Sequence, residues 1–357
     1  MLRPREAVCT LPSYYPPLGG REGLRLDFNE NTVGCSPRVL ARLRQMGPDQ
    51  LARYPEREPV EKVVAEFLGV SPTEALLTNG VDDAIHLLCE TYLDPGDEAL
   101  IVVPTYSMFR IYAGATGARV IEVPAGRDFR FPTEDLLNRI TPRTRLITIA
   151  NPNNPTGTVA PQEDLLRIAR SAPSAAVLID EAYFEFCGLS MLDYRREIPN
   201  LFVTRTFSKA YGLAGLRIGV LLGHPDQIRS VRRISSPYNV NGVALACLPD
   251  ALADQAFVRQ YVSEVCEGRE RLQDTLKSNG IVFWPSEANF VLARFNSLEF
   301  PQKMRQRGIL VRDRSSDHGY EGCVRITLGA RPHADRLLAA LQETLQELGI
   351  AQGVSKP

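Results

Sequence analysis

Short apolar runs alternate with helix-like stretches between residues 74 and 223, and this alternation limits the possible folds more than any other feature. Seven runs have the length and composition of buried strands: EALLT, DEALIVVP, ARVIEVP, TRLITIA, AAVLID, NLFVTRT and RIGVLLG. Helical patterns separate several of them, for example over Val81–Leu93 and Gln162–Arg170. The repetition of strand, helix and strand predicts an α/β domain built around a largely parallel sheet.

The last third of the chain has a different pattern. Residues 249–279 are predicted to form one long helix, and VFWPSEANFVLARF, GILVRD and CVRITLG are predicted to form three strands. The chain has 357 residues, enough for two domains of about 150 residues each, and the second is predicted to be α+β. The segment before residue 45 is predicted to be an arm. A closing helix carries leucines on one face: Leu337, Leu338, Leu341, Leu345 and Leu348.

Charge and cysteine usage exclude several classes of function. Lysine and arginine total 41 against 42 acidic residues, so we expect no basic face for nucleic acid. No apolar run is long enough for a signal peptide or a membrane span, so we expect no membrane partner. The seven cysteines are scattered without a CxxC pair, and there are only four histidines. We therefore expect a cytoplasmic protein with neither a disulfide framework nor a metal site.

Polar residues follow the predicted parallel strands at their carboxyl ends, where open α/β sheets bind ligands. TRLITIA is followed by NPNNPTG with Asn154, and AAVLID ends at Asp180, with Tyr183 in the next few residues. NLFVTRT leads into Lys209. Upstream, LLTNGVDDAI has the order strand, glycine, helix start, which leaves backbone N–H groups free to bind a phosphate. The strand ends are therefore predicted to present one cluster beside a phosphate site.

Lys209 has neighbours suited to a phosphorylated cofactor. An amine that forms a Schiff base must be partly desolvated so that its pKa falls. Thr206, Ser208 and Arg217 add the hydroxyl and guanidinium donors that a phosphate dianion needs. A lone lysine is more often an exposed surface residue, but an amine together with phosphate donors indicates pyridoxal phosphate.

Asp180 supports that interpretation, although an aspartate at a strand end also fits a helix N-cap or a structural carboxylate. Pyridoxal phosphate withdraws electrons only while its ring nitrogen is protonated. A buried carboxylate that faces this nitrogen raises the nitrogen's pKa. Tyr183 and Asn154 are each placed to donate a hydrogen bond to the phenolic oxygen of the ring, which would orient it.

The motifs NPNNPTG, DEAY and SKAYGLAGLRIG resemble those of the fold-type I pyridoxal-phosphate aminotransferases, and more closely those of the histidinol-phosphate aminotransferases. The resemblance runs from NEN at Asn29 to RITLG at Arg325. It implies a large domain with a mostly parallel seven-stranded sheet, a smaller α+β domain and a homodimer with shared active sites. The implied boundaries are an arm and part of the small domain at 1–45, a cofactor-binding domain at 46–248 and a C-terminal small domain at 249–357.

The resemblance also implies roles for individual residues. Lys209 matches the lysine that forms the internal aldimine and later moves the proton between the substrate Cα and the cofactor C4′. Asp180 matches the partner of the pyridine nitrogen, and Tyr183 and Asn154 match the partners of the phenolic oxygen. Tyr106, in VVPTY, matches the aromatic residue that stacks on the ring. The implied phosphate contacts are the backbone of Val81 and Asp82, the side chains of Thr206, Ser208 and Arg217 and, across the dimer interface, Tyr54.

Substrate binding is implied for a second set of residues. In GILVRDRSSDHGYEGCVRITLG, Arg312 and Arg325 match paired arginines that bind a phosphate ester and, in the other half-reaction, a glutamate carboxylate. Arg314 shares a face of the extended chain with Arg312, so the sequence leaves open which of the two faces the substrate. Tyr15 and Asn31 match a segment that caps the substrate.

Three hypotheses for function remain. The resemblance implies a transaminase of histidine biosynthesis that converts histidinol phosphate and 2-oxoglutarate to imidazole acetol phosphate and glutamate by a ping-pong mechanism. An aromatic amino acid aminotransferase or a threonine-phosphate decarboxylase would share Lys209, Asp180 and Asn154, so these residues do not discriminate. A non-catalytic pyridoxal-phosphate sensor is the third, and no feature of the sequence supports it. A dinucleotide enzyme is not expected, because no GxGxxG follows the first strand.

Overall fold

The computed structural model describes residues 2–13, 20, 22–316 and 319–350. Its strands are β1 Leu24–Leu26, β2 Ala75–Thr78, β3 Glu98–Val103, β4 Arg119–Pro124, β5 Thr144–Ala150, β6 Ala176–Asp180, β7 Leu201–Thr206, β8 Gly219–Gly223, β9 Val282–Trp284, β10 Phe290–Arg294, β11 Ile309–Asp313 and β12 Cys323–Thr327. Its helices are α1 Glu6–Cys9, α2 Pro37–Gln45, α3 Pro48–Ala52, α4 Glu58–Leu68, α5 Val81–Tyr92, α6 Met108–Ala115, α7 Thr133–Asn138, α8 Gln162–Ser171, α9 Phe184–Cys187, α10 Pro225–Arg232, α11 Gly242–Ala253, α12 Gln255–Ser278, α13 Phe300–Gln306 and α14 Arg331–Glu347.

Strands β2 to β8 form a seven-stranded sheet in the order β2-β8-β7-β6-β5-β3-β4. β8 is antiparallel to β2 and β7, and the other neighbouring strands are parallel. Residues of β6 alternate between two buried clusters, with Val177 and Ile179 in one and Ala176 and Leu178 in the other. Burial on both faces explains why the strands read as continuous apolar runs. The seven predicted strands and the largely parallel sheet are confirmed.

The second sheet has five strands in the order β1-β11-β12-β10-β9. β1 pairs in parallel with β11, with Leu24 opposite Ile309, so a short N-terminal segment adds an edge strand to a sheet otherwise built from the last third of the chain. On α14, Leu337, Leu341 and Leu345 are fully buried, which confirms the predicted apolar face. Within the described ranges, no helix combines the length and apolar character needed to span a membrane.

Two predictions for the last third were wrong. The helix expected over 249–279 is two helices, α11 and α12, because the chain leaves helical geometry at Asp254. Its carboxylate accepts hydrogen bonds from the Ser36 hydroxyl and from the Phe257 backbone N–H, and so caps α12. The single strand expected over VFWPSEANFVLARF is the pair β9 and β10, since Pro285 has no N–H to continue a ladder.

Candidate active site

A cavity of about 350 Å³ lies at the carboxyl ends of β5, β6 and β7. Because these strands are adjacent and parallel, the loops that follow them meet at one edge of the sheet. Ten of the residues predicted from the sequence line the cavity: Val81, Asp82, Tyr106, Asn154, Asp180, Tyr183, Thr206, Ser208, Lys209 and Arg217. The polar cluster predicted at the strand ends therefore exists.

Lys209 follows β7, and its Nζ donates a hydrogen bond of 3.1 Å to the carbonyl oxygen of Phe28. Burial, reinforced by the positive charge of Arg325, lowers the pKa of Lys209 to about 8. About a tenth of this amine is therefore uncharged at pH 7 and about half at pH 8, and the uncharged form is the one that a nucleophile or a base requires.

Asp180 is the last residue of β6, and only 6% of it is exposed. Thr204 donates a hydrogen bond of 2.9 Å from Oγ1 to its Oδ1. Burial raises the pKa of Asp180 to about 7, although the hydrogen bonds from Thr204 and from the Ala182 backbone act in the opposite direction. Among the described residues, no cationic side chain is paired with this carboxyl. It is therefore suited to binding a cationic group of a ligand.

Phosphate donors converge at the start of α5. Gly80 precedes the helix with φ +77°, and a Cβ at this position would lie 2.8 Å from Nη2 of Arg217 and displace that guanidinium. Arg217 itself has φ +53°, a left-handed conformation that costs a non-glycine residue about 1–2 kcal/mol. It donates to Asp82 Oδ2 at 3.1 Å, and the hydroxyls of Thr206 and Ser208 line the same cavity. Backbone N–H, hydroxyl and guanidinium donors are thus gathered where a phosphate dianion would bind.

Tyr106 forms one wall of the cavity. Its hydroxyl donates a hydrogen bond of 2.7 Å to Asp82 Oδ1, and its ring packs edge-on against Phe109. Burial raises the pKa of Tyr106 above its usual range, so the hydroxyl stays protonated. The ring is thereby held in one orientation beside the cavity.

Arg325 lies on β12 and is 7% exposed. Its Nη1 donates to Asn154 Oδ1 at 2.6 Å, and its Nη2 donates to the Asp27 carbonyl oxygen at 2.7 Å. The five-stranded sheet therefore contributes a fixed guanidinium that contacts a residue of the cavity.

The two candidates for the second arginine lie in different surroundings. Arg312 stands opposite Arg325 in the β11–β12 register, and its Cζ lies 5.5 Å from the ring centroid of Phe28, which lines the cavity. Within the described structure, Nη1 of Arg312 is buried without a hydrogen-bond partner. Arg314 lines a separate cavity beside Trp284. Arg312 therefore lies against a wall residue of the cavity that contains Lys209, whereas Arg314 lines the second cavity.

Two further predicted residues, Asn31 and Tyr54, do not line this cavity. Asn31 donates from Nδ2 to the Ala210 carbonyl oxygen at 3.0 Å and lines a neighbouring cavity. Tyr54 is 79% exposed and stacks on Tyr238 with ring centroids 4.4 Å apart. Tyr15 lies outside the described residues.

Sequence reasoning missed two buried polar residues of the site. Asn29, with φ +56° and 1% exposure, donates from Nδ2 to the Tyr183 hydroxyl at 3.0 Å. The signal for it was the polar triplet NEN directly after LRLDF, in which apolar and charged residues alternate. Thr204 is fully buried and bonds Asp180. The only sign of Thr204 in the sequence was a hydroxyl inside a strand predicted to be buried. The sequence does not give the register between β6 and β7, which places Thr204 opposite Asp180.

Comparison with known proteins agrees with this geometry. The family described as aminotransferase class I and II matches residues 21–342. The histidinol-phosphate aminotransferase of Moorella thermoacetica is 35% identical over 96% of this chain and 92% of its own length. That of Roseobacter denitrificans is 38% identical over 90% of this chain and 92% of its own length.

A solved structure is similar over the same extent. The crystal structure of histidinol-phosphate aminotransferase from Sinorhizobium meliloti in complex with pyridoxal-5'-phosphate has a TM-score of 0.87 to this chain at 27% identity. The match covers 98% of this chain and 99% of that one. With the family match over residues 21–342 and these relatives, the chain belongs to the class I and II aminotransferases.

Proposed function

We propose that this chain is a pyridoxal-phosphate-dependent aminotransferase of histidine biosynthesis. It transfers the amino group of histidinol phosphate to 2-oxoglutarate in a ping-pong mechanism, giving imidazole acetol phosphate and glutamate. The observation that carries the proposal is a single cavity that combines the amine of Lys209, the buried carboxyl of Asp180 and the phosphate donors around Arg217. Relatives named histidinol-phosphate aminotransferase align with nearly the whole chain, which supports this substrate.

The donor set fits the phosphate of the cofactor. A dianion is stabilised at a helix N-terminus and by guanidinium and hydroxyl donors, all of which face this cavity. The residues that would hold the phosphate are Val81 and Asp82 through their backbone N–H groups and Thr206, Ser208 and Arg217 through their side chains.

The opposite part of the cavity fits the pyridine ring. Asp180, which has no cationic partner among the described residues, would bind the protonated ring nitrogen. That pairing would keep the carboxylate ionised although burial, only partly offset by hydrogen bonds, raises its pKa to about 7. Tyr183 and Asn154 would donate to the phenolic oxygen, and Tyr106 would cover one face of the ring.

Proton transfer would fall to Lys209. Pyridoxal phosphate, when bound, supplies a protonated ring that withdraws electrons from the substrate Cα. Lys209 would hold the cofactor in the resting enzyme and, once released by the substrate amine, take the Cα proton onto Nζ. Its pKa of about 8 leaves part of the amine uncharged near neutral pH, so that it can accept this proton.

The arginines would bind both substrates in turn. Arg325 is already held by Asn154 and by the Asp27 carbonyl, so the plane of its guanidinium is fixed. Arg312 brings a buried Nη1 that has no partner in the described structure. Together they would bind the phosphate ester of histidinol phosphate and, in the second half-reaction, a carboxylate of 2-oxoglutarate. Tyr15 and Asn31 would approach the substrate from the N-terminal segment.

We also propose that the enzyme is a cytoplasmic homodimer with shared sites. Tyr54 contributes nothing to its own cavity, and its exposed, stacked ring is the type of residue that partner surfaces bury. Its hydroxyl would bind the cofactor phosphate of the partner subunit. The units of each subunit would be an arm and part of the small domain at 1–45, a large cofactor-binding domain at 46–248 and a C-terminal small domain at 249–357. The seven free thiols are compatible with a reducing compartment.

Half-reactions with single amines test the proposed function. The cofactor-loaded enzyme is mixed with histidinol phosphate, phenylalanine or threonine phosphate without a keto acid, and the loss of the long-wavelength cofactor absorbance is followed. We expect histidinol phosphate to react about tenfold faster or more, equivalent to about 1.4 kcal/mol, and 2-oxoglutarate to restore the absorbance. An equal rate with phenylalanine, or release of carbon dioxide from threonine phosphate as the fastest reaction, would contradict the assignment.

A further inference from the structure

Asp180 has one polar neighbour across the sheet. In the parallel register it lies between Ala150 of β5 and Thr204 of β7. Side chains opposite each other on adjacent strands point to the same face, and of the two residues paired with Asp180 only Thr204 carries a polar group. It does so through the hydrogen bond of 2.9 Å from Oγ1 to Oδ1.

This hydroxyl has little freedom. Thr204 is fully buried, and β-branching restricts its χ1. It does not line the cavity, so any effect on a ligand must pass through Asp180. A hydrogen bond donated to one carboxylate oxygen fixes the plane of the carboxyl and favours its ionised form.

The titratable groups around Asp180 act against its ionisation. Burial is the largest influence, and the carboxylates of Asp82 on α5 and Glu181 directly after β6 add negative charge. The hydroxyls of Tyr106 and Tyr183 also face Asp180. The groups that favour the carboxylate are the Thr204 hydroxyl and the backbone N–H of Ala182.

We propose that Thr204 is a positioning residue of the active site, whose hydroxyl turns the Asp180 carboxylate toward the ring nitrogen of the cofactor and keeps it ready to bind there. This inference rests on the proposed pyridoxal phosphate binding. The side chain acts only on Asp180 and makes no contact with substrate or cofactor.

The sheet offers a matched control for removing this hydroxyl. Thr148 lies on β5 opposite Leu178, two residues before Ala150 and therefore on the same face. It is 1% exposed, and within the described residues its Oγ1 has no hydrogen-bond partner. Thr148→Val therefore makes the same change of side chain in the same sheet without removing a bond to Asp180.

The test uses full-length protein from which the cofactor has been removed. Pyridoxal phosphate is titrated into the wild type, Thr204→Val, Thr204→Ser and Thr148→Val over a range of pH. The ionisation of Asp180 is followed by carbon NMR of the labelled carboxyl groups, with Asp180→Asn assigning the signal. We expect Thr204→Val to raise the pKa of Asp180 and to weaken cofactor binding about tenfold, as loss of a hydrogen bond to a charged group does.

Further comparisons separate positioning from stability. The affinity deficit of Thr204→Val is expected to grow as the pH falls through about 7, where Asp180 titrates. Thr204→Ser, which keeps the hydroxyl, and Thr148→Val are expected to bind like the wild type. If Thr204→Val does not fold, the cofactor affinities of Thr204→Ser and Thr204→Ala are compared instead, because serine keeps the hydroxyl and alanine lacks it.

Two outcomes have distinct meanings. If the wild type binds pyridoxal phosphate and Thr204→Val matches Thr148→Val in affinity and in the Asp180 signal, the positioning role is overturned while the proposed function stands. If the wild type itself does not bind pyridoxal phosphate, the proposed function fails and this inference fails with it.

Discussion

Arg325 on β12 donates a hydrogen bond of 2.6 Å from Nη1 to Oδ1 of Asn154, which follows β5. The bond joins the five-stranded sheet to the seven-stranded sheet beside the cavity. Nη2 is held at the same time by the Asp27 carbonyl at 2.7 Å. The guanidinium is therefore oriented before any substrate arrives, which reduces the entropy lost on binding.

Replacing this arginine tests its role in both half-reactions. Arg325→Lys is expected to raise KM for histidinol phosphate and for 2-oxoglutarate about tenfold or more, because an ammonium cannot make paired hydrogen bonds to phosphate or carboxylate. Steady-state kinetics with each substrate varied in turn measure the effect. Arg314→Lys is the control and is expected to leave both constants close to the wild-type values, whereas a larger effect of this control would contradict the assignment.

The lowered pKa of Lys209 predicts how cofactor attachment depends on pH. The amine reacts only when uncharged, and its pKa is lowered from 10.5 to about 8. The rate at which cofactor-free enzyme takes up pyridoxal phosphate covalently should therefore rise with pH up to about 8 and level off above it. Stopped-flow absorbance measures this rate. A rate that keeps rising to about pH 10, where an unperturbed lysine titrates, would show that burial does not lower this pKa.

Glu74 predicts a large effect on stability away from the site. It is fully buried and accepts hydrogen bonds from the Ser71 backbone at 2.7 Å, Arg196 Nε at 2.6 Å and Arg195 Nη2 at 3.0 Å. Glu74→Gln leaves buried guanidinium charge uncompensated and is expected to lower the free energy of unfolding by about 3–5 kcal/mol. Denaturant unfolding measures it. The matched control is Glu134→Gln, whose partner Arg167 is exposed, with an expected loss of about 1 kcal/mol or less.

The same carboxyl sets a dependence of stability on pH. Burial raises the pKa of Glu74, but the hydrogen bonds from Arg196, Ser71 and Arg195 outweigh it and lower the pKa from 4.5 to about 2. The stabilisation is therefore complete above pH 4.5 and is lost as the pH falls toward 2. The free energy of unfolding of Glu74→Gln, measured as a function of pH, should lack this loss at acid pH. The same pH dependence in Glu74→Gln and in the wild type would contradict the prediction.

Shared active sites predict complementation between two inactive variants. Lys209→Ala lacks the amine, and Tyr54→Ala lacks the proposed contact to the partner's cofactor. Each variant alone should have little activity. After joint refolding, mixed dimers should regain activity, because one of their two sites would carry neither substitution. Failure of mixed dimers to regain activity, with dimer formation verified by sedimentation, would contradict the shared site.

The sequence was sufficient to predict the edge of the sheet at which the cavity lies. Asn154, Asp180 and Lys209 follow apolar runs long enough to read as parallel strands, and the ends of such strands meet at one edge. This part of the site depends on local pattern and on a general rule of α/β sheets, so it needs no knowledge of distant contacts.

Contacts between distant segments could not be predicted in the same way. Asn29 reaches Tyr183 only because β1 joins β11 in a sheet formed by the far end of the chain. The hydrogen bond from Thr204 to Asp180 depends on the register of two strands, which no local pattern specifies. The helix break at Asp254 was missed because it is fixed by a hydrogen bond from Ser36, far away in the sequence.

The most direct test of the account asks which amine holds the cofactor. The loaded enzyme is reduced with borohydride, digested and mapped by mass spectrometry. We predict that one phosphopyridoxyl group is found on the peptide that contains Lys209, and that Lys209→Ala carries none. A label on any other lysine, or no label on the reduced wild type, would contradict the central claim that this cavity is a pyridoxal phosphate site with Lys209 as its amine.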